Sequence, residues 1–290
     1  MNIPCGEIAQ HLQEELIQRV QSLKNSGISP KLVTILVGSE PEQLSFVNIK
    51  KRTGEKIGVE FELVHLAEEP SAEDFKRIVS EKARDPKTTG IIIQHPFPES
   101  YNTKEIYQLI PPKKEIEGHH PESTFHFPLS IAVLSGLKYI IAREAGENNP
   151  HEVMVNFSED KDSFYQFLQN KNIVIAGRGI TGGAPIAKAL EDIGVSFTVA
   201  HSQTPDPQEA YKSADIIITA TGRKIITPSD LREGVILLNV GLRKENGKLK
   251  GDYDEEEIRN IASYYTQTPG GLGPLDVLYL FKNVIEAAKV

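Results

Sequence analysis

The stretch Gly177-Arg178-Gly179-Ile180-Thr181-Gly182 decides the fold of this 290-residue chain. It follows a short apolar run and precedes a helical pattern, which is the context of a dinucleotide-binding fingerprint. Gly177 permits the tight turn, Gly179 lets the backbone approach a pyrophosphate, and Gly182 allows close packing of helix on strand. The stretch therefore predicts a Rossmann-type domain. The alternative is a glycine-rich turn in a domain that binds another nucleotide or none.

The residues after the next strand indicate which dinucleotide is bound. NAD-specific domains place an acidic residue there to hold the ribose 2′-hydroxyl. Here the strand is followed by His201-Ser202-Gln203-Thr204, which contains no acid. His201, the Ser202 hydroxyl and Arg178 would instead accommodate a 2′-phosphate. The sequence therefore predicts NADP as the cofactor and favours it over NAD.

Small residues follow two further predicted strands, at Thr221-Gly222 and at Gly241-Leu242. The carboxyl ends of parallel strands are where open α/β sheets bind ligands. These positions would leave room for a nicotinamide ribose, although each pair alone is equally consistent with a plain turn.

Short apolar runs alternate with helical patterns along most of the chain, which predicts parallel βαβ units. The predicted strands are 31–37, 61–66, 90–94, 172–176, 196–200, 215–219 and 235–239. Turn residues at 146–150 indicate a boundary between two series. We therefore predict an α/β fold of two domains. The first comprises residues 1–145 completed by 268–290, and the second is a Rossmann NADP-binding domain at 146–267.

Composition narrows the class of protein. A net charge of −8 argues against binding to duplex nucleic acid, which usually requires a basic surface. The single cysteine, Cys5, cannot form an intramolecular disulfide, and no zinc-ligand spacing is present, so no metal is expected. Without a signal peptide pattern or a long apolar run, the sequence predicts a cytoplasmic protein with no membrane partner.

Several polar residues in the first half are candidates for chemistry. Lys50 lies with Lys51 in a predicted helix, where a charged pair is more often a solvated face. Gln94 ends a strand and precedes the rigid loop His95-Pro-Phe-Pro98. Glu117, with His119 and His120, suggests metal or acid–base work, although such a cluster is more often a polar surface loop.

Taken together and in this order, these segments resemble the methylenetetrahydrofolate dehydrogenase/cyclohydrolase family (FolD). The similar segments are Ser45-Phe-Val-Asn-Ile-Lys50, Ile93-Gln-His-Pro-Phe-Pro98, Lys114-Glu-Ile-Glu-Gly118 with His120-Pro121, the glycine stretch, Lys248-x-x-Gly251-Asp252 and Thr268-Pro-Gly-Gly-Leu-Gly-Pro274. The last of these is the most specific.

The resemblance implies two linked reactions in folate one-carbon metabolism. In the first, 5,10-methylenetetrahydrofolate gives hydride to NADP; in the second, water opens the methenyl product to 10-formyltetrahydrofolate. It also implies that Lys50 is the general acid–base group of the second step and that Gln94 hydrogen-bonds Lys50. By the same resemblance, Glu117 binds the pterin, and Phe46, Pro269, Gly270 and Gly271 lie at the folate. The family forms homodimers, so a homodimer is implied.

The sequence departs from the family pattern at three main points, besides Asp276, which stands where a threonine is usual after the loop 269–274. Phe46 replaces a tyrosine and keeps the ring while losing the hydroxyl. Glu117 replaces an aspartate and adds a methylene, and a misplacement of about 1 Å can reduce a rate by ~10²-fold. The usual Pro-Cys-Thr-Pro segment is absent, and Val153-Met-Val-Asn-Phe stands there instead. These departures weigh on the hydrolytic step more than on hydride transfer.

Two other functions fit parts of the sequence. One is a diverged paralogue that binds NADP or a folate without turnover, which the three departures would favour. The other is a two-domain dehydrogenase of a non-folate substrate. The loop Pro269–Pro274 argues against that function. Lys50 and Gln94 favour the folate enzyme.

Overall fold

The computed structural model describes residues 1–98 and 100–289. The chain folds into two compact units. The three-stranded unit consists of Gln13–Pro128 and the chain from Val277 onward, and the five-stranded unit consists of Met1–Leu12 and Leu129–Asp276. Two helices, α1 (Cys5–Asn25) and α10 (Gly273–Ala287), contribute residues to both units.

The three-stranded unit is built on a parallel sheet in the order β2-β1-β3. Its strands are β1 (Lys31–Val37), β2 (Glu60–Leu66) and β3 (Gly90–Ile93), and its helices α2 (Pro41–Ile57), α3 (Ala72–Arg84) and α4 (Thr103–Gln108). The central strand β1 is buried along its whole length, as its apolar run predicts. Helix α3 begins at the N-cap Ser71, whose hydroxyl accepts the Asp74 amide, and it packs Phe75 and Val79 on the sheet.

The five-stranded unit has a fully parallel sheet in the order β10-β7-β6-β4-β5. Its strands are β4 (Ile173–Ala176), β5 (Thr198–Ala200), β6 (Ile216–Thr219), β7 (Ile236–Asn239) and β10 (Tyr264–Tyr265), and β8 (Arg243–Glu245) and β9 (Lys248–Lys250) form a hairpin. Its helices are α5 (Pro128–Glu144), α6 (Phe157–Leu168), α7 (Gly183–Ile193), α8 (Pro207–Ser213) and α9 (Glu255–Ile258). The direction of strand succession reverses beside β4, where such sheets bind their ligands.

The predicted α/β class and the two parallel sheets are confirmed. Each predicted strand begins and ends within two residues of the bounds of an observed strand. Helix α1 was not predicted, although its buried Ile8, Leu12, Leu16 and Val20 recur at the four-residue spacing of a helix.

The two compact units begin and end at other residues than the predicted domains. Residues 1–12 belong to the five-stranded unit because the chain start runs beside β10, with the Ile3 amide donating to the Tyr265 carbonyl at 2.8 Å. Helix α5 belongs there too, because Gly136 on this helix faces Leu238 of β7 and Leu272. The loop after Thr268 lies in the same unit, and only the chain from Val277 completes the other.

None of the helices in residues 1–98 and 100–289 has both the length and the apolar content that crossing a lipid bilayer requires.

Candidate active site

Lys50 and Phe46 lie on one face of α2, because residues four apart in a helix are neighbours. The Lys50 Nζ is half-buried and donates a hydrogen bond of 2.9 Å to Oε1 of Gln94. Phe46 is 44% exposed, so its ring is available to a ligand. Lys51 points elsewhere: its side chain is 53% exposed and pairs with Glu55 at 4.0 Å. The solvated-face interpretation therefore holds for Lys51 and not for Lys50.

Gln94 is held firmly at the end of β3. Its backbone amide donates to the Ile35 carbonyl at 2.9 Å, and its side-chain amide donates to the His95 carbonyl at 2.9 Å. The buried Gln43 of α2 donates to the Pro96 carbonyl and so joins the same loop to the helix of Lys50. The bond to the His95 carbonyl sets the orientation of the side-chain amide, so that Oε1 faces the Lys50 Nζ.

Glu117 is a buried carboxyl with an unsatisfied atom. Its Oε2 is buried and has no hydrogen-bond partner in the part of the chain that the structure describes. Burial raises the pKa of Glu117, and the positive charge of Lys50 opposes that rise. Because an unpaired buried carboxylate oxygen is costly, this atom indicates a hydrogen-bond donor supplied by a ligand.

Glu115, which the sequence analysis did not single out, organises the turn that carries Glu117. It is fully buried, and its carboxylate accepts the backbone amides of Glu117, Gly118 and His120, each at 3.0 Å. Gly118 has φ +90°, in the left-handed region, and a Cβ there would lie 2.9 Å from the Phe125 carbonyl oxygen. In the sequence, the segment 114–118 contains two acidic residues, and nothing in the pattern identifies Glu115 as the one that accepts the amides.

His119 is not part of a polar surface loop. Its ring stacks on Tyr107 with centroids 4.4 Å apart and meets the Phe127 ring edge-on at 4.9 Å. His95 lies nearby and hydrogen-bonds the Tyr107 hydroxyl through Nε2 at 2.8 Å. Burial lowers the pKa of both histidines, that of His95 to about 4 with the help of His119 and Lys50. Among the described residues, no three His, Cys, Asp or Glu side chains are placed to hold a metal ion.

The glycine stretch follows β4 and leads into α7. Gly177 has φ +114°, and a Cβ there would lie 2.5 Å from the Ala220 carbonyl oxygen. Gly179 has open space on its Cβ side, which leaves its backbone approachable. The closest helix–strand packing belongs to Gly183, where a Cβ would overlap the Gly177 carbonyl, whereas at Gly182 the nearest atom is 3.3 Å away. The close-packing glycine is thus Gly183, one residue after the predicted Gly182.

Arg178 is exposed and contacts the loop after β5. Its Nη2 donates to Oε1 of Gln203 at 3.1 Å. The loop is a tight turn in which the His201 amide donates to the Thr204 hydroxyl at 3.0 Å, and Ser202 is exposed. The Arg178 guanidinium therefore contacts the loop that carries the Ser202 hydroxyl, and both residues are open to a ligand.

A buried aspartate joins the two loops at the ends of β6 and β7. The Asp252 carboxylate accepts the Thr221 amide at 2.8 Å, the Thr221 hydroxyl at 2.9 Å and the Arg223 amide at 3.1 Å. It also packs against Gly241, where a Cβ would overlap both carboxylate oxygens. Gly222, with φ +68°, abuts the Leu242 carbonyl. Asp252 thus contacts Thr221 and Gly241, and the contact of Gly222 with Leu242 brings together the four residues that were predicted to border the nicotinamide ribose.

The loop of Pro269, Gly270 and Gly271 is fixed in the five-stranded unit. Asn239, at the end of β7, donates to the Thr268 hydroxyl at 2.9 Å, and the Thr268 amide donates to Glu255 at 2.7 Å. Pro269 and Gly270 are exposed while Gly271 is buried, and a Cβ on Gly271 would overlap the Gln267 carbonyl. The glycines therefore let the loop fold tightly on itself.

Comparison with known proteins gives consistent results over nearly the whole chain. Residues 3–117 match the family described as tetrahydrofolate dehydrogenase/cyclohydrolase, catalytic domain, and residues 159–290 match its NAD(P)-binding domain. "Bifunctional protein FolD" of Staphylococcus haemolyticus is 34% identical over 287 residues, which are 98% of this chain and 95% of that protein.

Two solved structures are similar over their full length. The bifunctional FolD methylenetetrahydrofolate dehydrogenase/cyclohydrolase of Campylobacter jejuni superposes with a TM-score of 0.86 at 28% identity, covering 100% of this chain and 98% of its own. The Trypanosoma brucei enzyme, solved with NADP cofactor and inhibitor, gives 0.78 at 25% identity, covering 100% and 97%.

Proposed function

The chain belongs to the tetrahydrofolate dehydrogenase/cyclohydrolase family, and from that premise we propose which of its residues carry out the two reactions. The protein is a bifunctional folate enzyme. It oxidises 5,10-methylenetetrahydrofolate to the 5,10-methenyl compound with NADP, and it hydrolyses that product to 10-formyltetrahydrofolate.

The observation that carries the folate assignment is the unpaired, buried Oε2 of Glu117. The edge of a pterin presents adjacent N–H donors, and a carboxylate can accept two such donors in parallel. Binding would therefore supply a partner to an atom that has none among residues 1–98 and 100–289. The exposed ring of Phe46 supplies a face on which a flat heterocycle can stack.

Lys50 is the proposed acid–base group of the hydrolytic step. Its amine would accept a proton from the water that adds to the methenyl carbon and return a proton as the bridge opens. The Gln94 carbonyl accepts a hydrogen from Lys50 at 2.9 Å and so aims the amine. Because the Gln94 amide is held by the His95 carbonyl, the oxygen cannot exchange places with the nitrogen without losing a bond.

The five-stranded unit would bind the cofactor. The N-terminal end of α7, where the helix dipole favours an anion, and the open backbone of Gly179 suit a pyrophosphate. Arg178 and the exposed Ser202 would bind the 2′-phosphate that distinguishes NADP from NAD. When bound, NADP accepts the hydride of the first reaction. Thr221, Gly222, Gly241 and Leu242 would border its ribose.

A spectrophotometric assay tests the proposal. The purified protein is given methylenetetrahydrofolate with either NADP or NAD, and reduced cofactor is followed by its absorbance. We expect reduction of NADP at a higher kcat/KM than that of NAD. Methenyltetrahydrofolate is then supplied alone, and its loss is compared with the rate in buffer. A protein that binds both ligands but turns over neither would be the non-catalytic paralogue instead.

We also propose a cytoplasmic homodimer. Family resemblance supports the dimer. Cys5 is the single cysteine, and its burial raises the pKa of its thiol to about 12. A single cysteine supports a reducing compartment, because proteins of oxidising compartments commonly carry paired cysteines. Sedimentation velocity on the full chain would test the assembly: a single species at the monomer mass of 32.1 kDa would contradict it.

A further inference from the structure

The backbone amides of the turn that carries Glu117 converge on one carboxylate, that of Glu115. Oε1 of Glu115 accepts the Glu117 amide, and Oε2 accepts the amides of Gly118 and His120, all at 3.0 Å. Glu115 is 0% exposed, so no water competes for these donors. An ionised carboxylate with several N–H donors forms charge-assisted hydrogen bonds, which are roughly twice as strong as neutral ones.

The backbone of Glu115 is itself anchored to the sheet. Glu115 pairs in parallel with Ile91 of β3, and the Ile91 amide donates to the Lys114 carbonyl at 2.8 Å. The Ser123 hydroxyl donates to the Glu115 carbonyl at 3.1 Å. The backbone of Glu115 is therefore fixed beside β3, the strand that Gln94 follows.

A second side chain, that of Asn283, binds backbone carbonyl groups before and after the turn. Asn283 of α10, which is buried, donates from Nδ2 to the Ile116 carbonyl at 2.8 Å and to the His126 carbonyl at 3.1 Å. Glu115 thus fixes the amides of the segment and Asn283 fixes carbonyls on either side of it. Between the two, the Cα position and direction of Glu117 are determined.

We propose that Glu115 is a positioning residue of the folate site, which places the Glu117 carboxylate at the distance a pterin requires. This rests on the proposed function, in which Glu117 binds the pterin. Glu115 does not touch the substrate; it acts through the turn. The side chain of Glu117 has one more rotatable bond than the aspartate of the family pattern. Its carboxylate can reach a fixed position only if the backbone that carries it is firmly held.

The test uses Glu115→Gln, which keeps the size of the side chain but replaces one acceptor oxygen by a donor that faces an amide hydrogen. We expect the KM for methylenetetrahydrofolate to rise at least about tenfold, with the Kd for NADP unchanged within twofold. Glu115→Asp, which keeps the charge but withdraws it by one methylene, should raise the KM less. A merely structural role would lower kcat by reducing the folded fraction and would leave the KM alone.

Glu62→Gln is the matched control, because Glu62 is a carboxylate of the same unit that pairs with Lys31 and Lys82 and makes no hydrogen bond to this turn. Its folate KM should stay at the wild-type value. Amide hydrogen exchange of the variants adds a readout that needs no activity: faster exchange confined to residues 117–120 is expected for Glu115→Gln.

Unchanged KM and exchange in Glu115→Gln would overturn the proposal, and so would an unchanged KM in Glu115→Asp if the glutamine variant did not fold. An inactive wild-type protein would count against the proposed function instead, so the two failures are distinguishable.

Discussion

The Nζ atom of Lys50 on α2 lies 2.9 Å from Oε1 of Gln94 at the end of β3, although 44 residues separate the two along the chain. The parallel sheet makes this meeting possible, because β1 and β3 are neighbours and α2 follows β1. A lysine that would be an ordinary surface residue on an isolated helix is thereby held by a fixed carbonyl.

Replacement of Lys50 by alanine should abolish hydrolysis of methenyltetrahydrofolate. General acid–base groups commonly contribute ~10²- to 10⁴-fold to a rate, so a loss of at least ~10²-fold is expected. NADP affinity, measured by fluorescence titration, should be largely intact. Lys51→Ala is the control, since the neighbouring lysine is exposed and pairs only loosely with Glu55. Unchanged hydrolysis in Lys50→Ala would remove this residue from the mechanism.

The burial of Glu117 predicts a pH-dependent stability difference. Its pKa is raised in the folded protein, so folding favours the protonated carboxyl. Its favourable contribution to the free energy of unfolding is therefore present at low pH and is lost as the pH rises through that raised pKa. Glu117→Gln has no such charge to bury. The melting temperature of the variant minus that of the wild type should therefore be larger at pH 8 than at pH 5.

The same variant should bind the folate substrate more weakly, because a carboxamide cannot accept two donors in parallel. Glu68→Gln, at an exposed position, serves as the control for both measurements. A melting difference that stays constant between the two pH values would contradict the prediction.

Arg178→Ala should weaken NADP binding while sparing NAD. Hydrogen bonds to charged groups contribute ~1.5 to 3 kcal/mol, so the Kd for NADP should rise by about 10- to 100-fold. Gln203→Ala removes only the residue that Arg178 contacts in the ligand-free protein and should change the Kd little. Calorimetric titration with both dinucleotides measures the effect, and an equal loss for NAD and NADP would show that Arg178 does not read the 2′-phosphate.

Gly179 of the fingerprint and Gly183, which directly follows it, should respond differently to a methyl group. Gly183→Ala would force a Cβ into the Gly177 carbonyl, and overpacking of this kind destabilises proteins by ~1 to 3 kcal/mol. Gly179→Ala has open space and should melt like the wild type, yet its methyl would obstruct the pyrophosphate and raise the Kd for NADP about tenfold or more. Denaturant unfolding and titration of both variants separate the two roles. Equal unfolding midpoints would refute the assignment.

The fold followed from local patterns because its strands are short, apolar and buried on both faces. β1 was predicted from its seven residues with the observed bounds. The fingerprint located the cofactor loops because glycine is required wherever backbone must pass close to backbone.

The supporting residues could not be found in the same way. Glu115 and Asp252 each act on backbone amides of loops, and a carboxylate that accepts amides has no sequence spacing that distinguishes it from a surface acid. His119 was expected on a polar surface because its neighbours in sequence are polar, yet Tyr107 and Phe127 enclose its ring. The unit boundaries depend on contacts of the chain start and of α5 that are equally non-local.

Asn283, Val284 and Ile285 at the end of α10 are buried, and the ring of Phe281 lies against Gly54 of α2. The unit that carries Lys50 therefore takes part of its interior from residues synthesised long after its sheet. On the ribosome, residues 13–128 emerge well before α10 does, and this unit can close only after α10 has followed. The hydrolytic centre should accordingly mature later than the sheet that holds the glycine fingerprint, whose strands all precede α10.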